Sequence, residues 1–355
     1  MDLLSRRSLL KTSFAGAGAI GLGSLASACG SSNTSTASSS SSSSSSAAAA
    51  RAVAYQLSWT HSVQFGGTYL AVKNGYFSEL GLDVTLAPGG SDVAGDANTV
   101  SGKVLMNISG ADGVARSNQE GADLVIIGRQ YQKAPATILS LADAALKTPE
   151  DLVGKKIGVS STDTPALDAF LSINDMSKDD VQFVPTQYDA SVLTAGQVDA
   201  VYCFYIDLPI ALQAQGIEGH SMLLSDFGYN PMSQTYTVLR SSLEDDEKRQ
   251  EIVDLFKGDV MGWQAFHDNP KAAAKLTVEM HPDAGLDLKT QKLQAAAEVD
   301  IMYSAETEAN GFGWYTDDDI TKNLKLFKIL GIKGSDESLW DHSILDEVFA
   351  DGPTI

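Results

Sequence analysis

From Ala52 onward the chain alternates short apolar strands with amphipathic helical segments, and the alternation starts twice. In the first run, 53–57, 82–86, 104–108 and 124–127 read as strands, and 66–80 reads as a helix. Tyr69, Val72, Tyr76 and Leu80 recur at helical spacing and predict the apolar face of that helix, with Gly81 as its stop. The second run opens at Thr148, which fits an N-cap, with Pro149 at the first helical position and Asp151 two further on. Strands are expected at 154–159, 181–185, 200–204 and 235–239, with a helix around 191–196. After Glu244 only helices are expected. Asn269-Pro270 marks a cap and a helix-opening proline within 263–280, and another helix runs over 316–330, from a Thr316 cap to a stop at Gly331. Strands alternating with helices favour a largely parallel sheet. Two such runs and a helical tail predict an α/β chain of two lobes. Ligands of such sheets bind at the carboxyl ends of the strands, in the crevice between lobes.

The N-terminus limits where such a body works. Arg6 and Arg7 precede a Gly/Ala-rich apolar run, 12–28, which reads as a twin-arginine export signal. The run is too weakly apolar for a membrane span, which takes about 20 strongly apolar residues. Leu25-Ala26-Ser27-Ala28-Cys29 resembles a lipoprotein processing box, so Cys29 is the expected lipidation site. Ala26 stands where such boxes usually carry Leu. The Ser/Ala tract that follows cannot bury enough apolar surface to offset its ordering entropy, and reads as a flexible tether. The expected layout is a signal over 1–28, a tether over 29–51, one lobe from 52–140 plus 238–355, and a second lobe from 141–237. The protein is expected outside the cytoplasm, lipid-anchored to the bacterial cell membrane.

Charge and motif content exclude several classes. The formal net charge is −20, whereas nucleic-acid phosphates need a basic face. Cysteine occurs twice, and assigning Cys29 to the lipid leaves Cys203 without a disulfide partner. The five histidines, His61, His220, His267, His281 and His342, are dispersed, so no metal site is expected. No phosphate-binding loop, HExxH or GxSxG motif occurs. No cofactor and no enzymatic activity are expected.

Leu57-Ser58-Trp59-Thr60, Asn74-Gly75-Tyr76-Phe77 and Gly81-Leu82-Asp83-Val84 resemble the opening of one family. The resemblance continues through Thr148 to Val159, through Gly196-Gln197-Val198-Asp199-Ala200, and through Asn269 to Ala273. That family is the solute-binding proteins of ABC importers for nitrate, sulfonates, taurine and thiamine pyrimidine precursors, and the pyrimidine-synthase-like branch is the most similar in character. The resemblance implies a two-lobe, type II periplasmic-binding-protein (Venus flytrap) fold with C-terminal helices. It implies a monomer that captures a small solute and delivers it to an ABC permease and its ATPase.

The expected pocket gathers loops at strand ends. Trp59 and His61 follow the first strand, where an aromatic can stack on a planar ring, although Trp59 also fits a core position. Gln64 and Phe65 approach the next helix. Ser109, Gly110 and Asp112 lie between strand and helix, and Asp112 fits a first-turn acid equally well. Gln130 and Tyr131 end a strand near the lobe crossing. In the second lobe, Ser160, Ser161 and Thr162 form a turn that suits either an oxygen-bearing ligand or plain helix capping. Phe204, Tyr205 and Asp207 end another strand, and Tyr188 and Tyr229 complete the candidates. The resemblance implies an aromatic followed by Glu near residue 207, where this chain has Asp. These residues are aromatic and acidic, which favours a small heteroaromatic solute, a thiamine pyrimidine precursor or a riboflavin-like ring. Arg129 and Lys133 keep open the alternative, a binder of nitrate, taurine or alkyl sulfonate. A ligand-sensing lipoprotein and a pyrimidine-synthase-like enzyme rank below both.

Overall fold

The computed structural model describes residues 49–90, 92–160 and 163–355. The export signal, Cys29 and nearly all of the tether lie outside the described residues, as do Ser161 and Thr162. The strands, in chain order, are β1 (Arg51–Gln56), β2 (Leu82–Ala87), β3 (Met106–Gly110), β4 (Leu124–Arg129) and β5 (Ala136–Leu141). There follow β6 (Lys156–Val159), β7 (Gln182–Pro185), β8 (Ala200–Phe204), β9 (Gly219–Leu223) and β10 (Ser233–Leu239). They form two five-stranded sheets, ordered β2-β1-β3-β10-β4 and β7-β6-β8-β5-β9. In the first, β1 is parallel to β2 and β3, and β10 runs antiparallel between β3 and β4. In the second, β6 is parallel to β7 and β8, and β5 runs antiparallel between β8 and β9. Each sheet is therefore parallel except for one strand contributed by the crossing chain.

That strand exchange moves the lobe boundaries from where they are expected. Residues 136–141 belong to the second sheet and 233–239 to the first, so the chain crosses over 130–135 and again before Ser233. Each link is short, and the first strand after it enters the new sheet at once. Arg51, expected to end the tether, instead opens β1 opposite Leu82. The two crossings are tied together: Gln130 N donates to Gln234 O at 2.8 Å. Gln234 has φ +52°, a left-handed conformation rare for a residue with a side chain, beside a register shift in β10.

The helix expected over 66–80 is two helices, Gly66–Asn74 and Tyr76–Glu79, broken at Gly75 with φ +82°. The predicted face does not hold, within the first helix or across the break. Tyr69 is buried, Val72 is exposed, and Phe77 fills the core instead. The buried side of the first helix lies on the 23-residue helix Asp246–Asp268. A Cβ on Gly67 would stand 2.1 Å from the Trp263 ring, and one on Gly262 would stand 2.1 Å from Gly67 O. The two backbones can therefore touch only as glycines. Caps fall where the sequence places them. Thr148 and Asp151 form a capping box, Thr316 and Asp319 another, and Asn269 accepts from Ala272 N.

Candidate functional site

The expected site residues separate into two constellations, each drawing on both sheets, and a remainder used elsewhere. The first is centred on Asp207, which precedes the helix Leu208–Ala214. Tyr188 Oη donates to Asp207 Oδ2 at 3.1 Å, and Phe204 N donates to Tyr188 Oη at 2.8 Å. Tyr188, Phe204 and Asp207 are reached by solvent, with Tyr188 at 43% and Phe204 at 38% exposure. Enough protein surrounds Asp207 that desolvation still raises its pKa. From the first lobe come Gln64 and Tyr131, with Gln294 and Glu298 of the helix Leu288–Met302. Glu298 is fully buried, and neither its carboxyl oxygens nor Tyr131 Oη makes a hydrogen bond of good geometry, although Tyr131 and Gln294 stand near enough to the carboxyl to act on it. Burial pushes Glu298 up to about 8, and the charge of Asp207 adds to the rise.

The second constellation joins Asp112, in the first turn after β3, to Ser160, Asp163, Tyr202 and Tyr229 of the other lobe. Ser160 Oγ donates to Asp163 Oδ2 at 2.6 Å. Burial raises the Tyr229 phenol, and the nearby charges of Asp112 and Asp163 raise it further. Ser109 and Gly110 sit half-buried beside this group, where β3 pairs with β10. Asp163, Tyr202, Gln294 and Glu298 are missing from the sequence expectation. The only sequence signal for the last two is the spacing of Gln291, Gln294 and Glu298, which repeats polar groups along one helix face.

Trp59 is not a core residue. It lies on the loop after β1 with 50% of its surface exposed, and its neighbour Ser58 donates to Gln234 Oε1 at 2.8 Å, at the crossing. Several candidates are committed to the first lobe itself. Phe65 is fully buried with Leu57 and Tyr69, so it presents no surface to a ligand. Gln130 is fully buried and donates to Tyr236 Oη at 3.3 Å. His61 stacks on His281 at 3.7 Å and 11°, with Nδ1 2.9 Å from Tyr69 Oη. Burial lowers the pKa of both imidazoles. Tyr205 donates its hydroxyl to Asp300 Oδ2 at 3.5 Å across the lobes.

The two cations that kept an oxyanion site open are engaged elsewhere. Arg129, 3% exposed, donates to Asp319 Oδ2 at 2.8 Å, Gln132 Oε1 at 3.1 Å and Trp314 O at 3.3 Å. Lys133 pairs with Asp226 at 3.2 Å on the surface. Two cavities have volumes of about 550 and 590 Å³, and the second also reaches Tyr205 and Pro209, on either side of Asp207. One is lined by His267, Tyr303 and Ile355, the other by Gln213, Glu218 and His220. Among the described residues there is no cluster of three or more potential metal ligands, and no helix is long and apolar enough to cross a membrane.

Two mixed sheets exchanging one strand each, with helices following, define the type II periplasmic-binding-protein fold. The aliphatic sulphonate binding protein SsuA from Escherichia coli has it, with a TM-score of 0.60 at 16% identity over 80% of this chain and 87% of that one. So does the desulfurization enzyme DSZB, with a TM-score of 0.57 at 12% identity over 85% and 99%. The NMT1/THI5-like family model matches residues 62–273, and the chain belongs to that family. Among curated relatives, the riboflavin-binding protein RibY of Chloroflexus aurantiacus is 25% identical over 79% of this chain and 81% of its own length. The formylaminopyrimidine-binding protein of Halalkalibacterium halodurans is 21% identical over 74% and 80%.

Proposed function

We propose that the protein is the extracytoplasmic solute-binding component of an ABC importer, taking a small heteroaromatic solute between its lobes. The observation that carries the reading is the composition of the two constellations. They offer Tyr131, Tyr188, Phe204 and Tyr229 with Asp112, Asp163, Asp207 and Glu298, while Arg129 and Lys133 are paired elsewhere. Such a lining suits a planar, hydrogen-bonding or cationic ring and repels nitrate or a sulfonate. The names of the riboflavin- and formylaminopyrimidine-binding relatives agree with a ring-shaped solute. Exposed Trp59 is the stacking platform. A solute that touches both lobes stabilises the closed form by its greater affinity for it, and the tied crossings at Gln130 and Gln234 act as the hinge.

The protein releases its solute unchanged, in contrast to DSZB. Cys203, the cysteine of the folded body, is buried with its thiol pKa raised by desolvation, which makes it a poor nucleophile. The twin-arginine signal exports the chain and lipid on Cys29 holds it at the membrane. There it works as a monomer that hands solute to a permease and its ATPase.

The test is a thermal-shift panel on the purified protein with aminopyrimidines, thiamine, riboflavin, nitrate, taurine and alkyl sulfonates. A ligand at 100 times its Kd adds about 2.7 kcal/mol and raises Tm by several degrees. Shifts are expected with heteroaromatics alone. Trp59→Ala is expected to weaken their binding by about tenfold, with stability changed by less than about 0.5 kcal/mol. Shifts with sulfonates or nitrate alone would reject the reading.

A further inference from the structure

The helices Leu208–Ala214 and Leu288–Met302 lie antiparallel across the two lobes. At one end Lys289 Nζ donates to Ala214 O at 2.9 Å, and at the other Tyr205 Oη donates to Asp300 Oδ2 at 3.5 Å. This pairing brings Asp207, just before the first helix, near enough to Glu298, toward the end of the second, for the charge of one to act on the other. Behind them, both Glu298 oxygens and Tyr131 Oη are buried and make no hydrogen bond of good geometry, with Tyr131 and Gln294 the near neighbours of the carboxyl. Buried polar atoms are almost always well satisfied, so a buried acid with both oxygens poorly bonded marks a place where a polar group belongs. Asp207 accepts one bond, from Tyr188, and still faces solvent.

We propose that Glu298 is a second ligand-binding acid, and that it and Asp207, one from each lobe, clasp a cationic nitrogen group of the solute. The inference rests on the solute-binding reading and narrows it, from heteroaromatic rings in general to rings bearing an ammonium or amidinium group. The groups acting on Glu298 are Asp207 from the second lobe, Tyr131 from the first crossing and Gln294 from its own helix. None of them is a cation, so a cationic solute supplies the missing counter-charge. Without it, two carboxylates cannot both ionise cheaply in this space. Glu298, pushed up to about 8 mainly by burial, then keeps its proton at neutral pH. Binding of a cation exchanges that proton for the ligand: the carboxyl O–H breaks, the proton leaves to buffer, and the carboxylate pairs with the nitrogen group.

Calorimetry on the purified protein at pH 7, in buffers of different ionisation heat, reads this directly. The probes are 4-amino-5-aminomethyl-2-methylpyrimidine, which carries an ammonium group, and neutral riboflavin. The amine is expected to bind with release of close to one proton, and its affinity is expected to fall by up to tenfold per pH unit below about 8. Glu298→Gln, which mimics the protonated acid in shape, is expected to lose the proton release and about tenfold or more in affinity. The pH dependence of the unmodified protein carries the test even if the variant folds poorly. Binding of the amine without proton release, or riboflavin binding more tightly than the amine and equally well to Glu298→Gln, overturns the clasp but leaves the importer reading standing. Failure of every heteroaromatic to bind overturns both.

Discussion

Asp259 lies fully buried in the first lobe on the helix Asp246–Asp268. Its Oδ2 accepts from Tyr236 Oη at 2.6 Å, Trp263 Nε1 at 3.0 Å and Tyr55 Oη at 3.4 Å, and Thr68 stands near enough to favour the carboxylate as well. The donors favour the carboxylate, yet desolvation outweighs them and pushes Asp259 up to about 6. The rise of about 2 units is worth roughly 3 kcal/mol. The sign follows from proton counts. Between about pH 4 and pH 6 the native state holds more protons at this residue than the unfolded state does. Stability contributed here is therefore fully present below pH 4, falls as pH rises, and is gone above about pH 6. Asp259→Asn keeps an acceptor for the three donors and never ionises. Urea unfolding of both proteins across pH 4 to 8 should show the variant gaining roughly 3 kcal/mol on the parent, which is about 1 M in midpoint at an m-value near 3 kcal/mol/M. Asp259→Ala, which orphans three buried donors, should instead lose stability at every pH by about 1–3 kcal/mol per donor. A constant gap between the parent and Asp259→Asn over the whole range would refute the buried titration.

Two further outcomes are expected. Phe65→Ala should cost about 3–5 kcal/mol in urea unfolding, since Phe65 is fully buried with Leu57 and Tyr69; a loss below about 1 kcal/mol would return Phe65 to the list of ligand contacts. Cys203 should resist thiol reagents at pH 8 in the native protein and react at once in urea, because it is buried with its thiol pKa raised; fast native labelling would refute its exclusion as a nucleophile.

Local chemistry was readable wherever one residue type answers one backbone need. Thr148, Asn269 and Thr316 cap the helices expected of them, and β8 covers the residues expected of it. β5 carries no sequence signal of its own, because Ala136–Leu141 is buried on both faces and so lacks the alternation that marks a half-exposed strand. The lobe boundary therefore lies a few residues from where the alternation alone puts it. In the site, Asp207 and Tyr188 could be named because they follow or neighbour strand ends. Glu298 and Asp259 could not, since an acid on a helix ordinarily faces water. Only the tertiary packing of Tyr131 and Asp207, or of Tyr55, Tyr236 and Trp263, tells that these two do not. His61 and Phe65 stand in the right loop, but their rings turn inward to His281 and Tyr69.

The strand exchange also sets an order of assembly on the growing chain. β4 touches the rest of its sheet only through β10, whose first residue is made more than a hundred positions later. The second lobe is a single continuous stretch and can complete its sheet as soon as β9 emerges. The first lobe has an open edge at β3 and a stranded β4 until residue 239, and it then waits for Trp263 to fill the gap beside Gly67. The insertion thus matures before its host, and an interruption of synthesis between β9 and β10 leaves a finished lobe attached to an unfinished one.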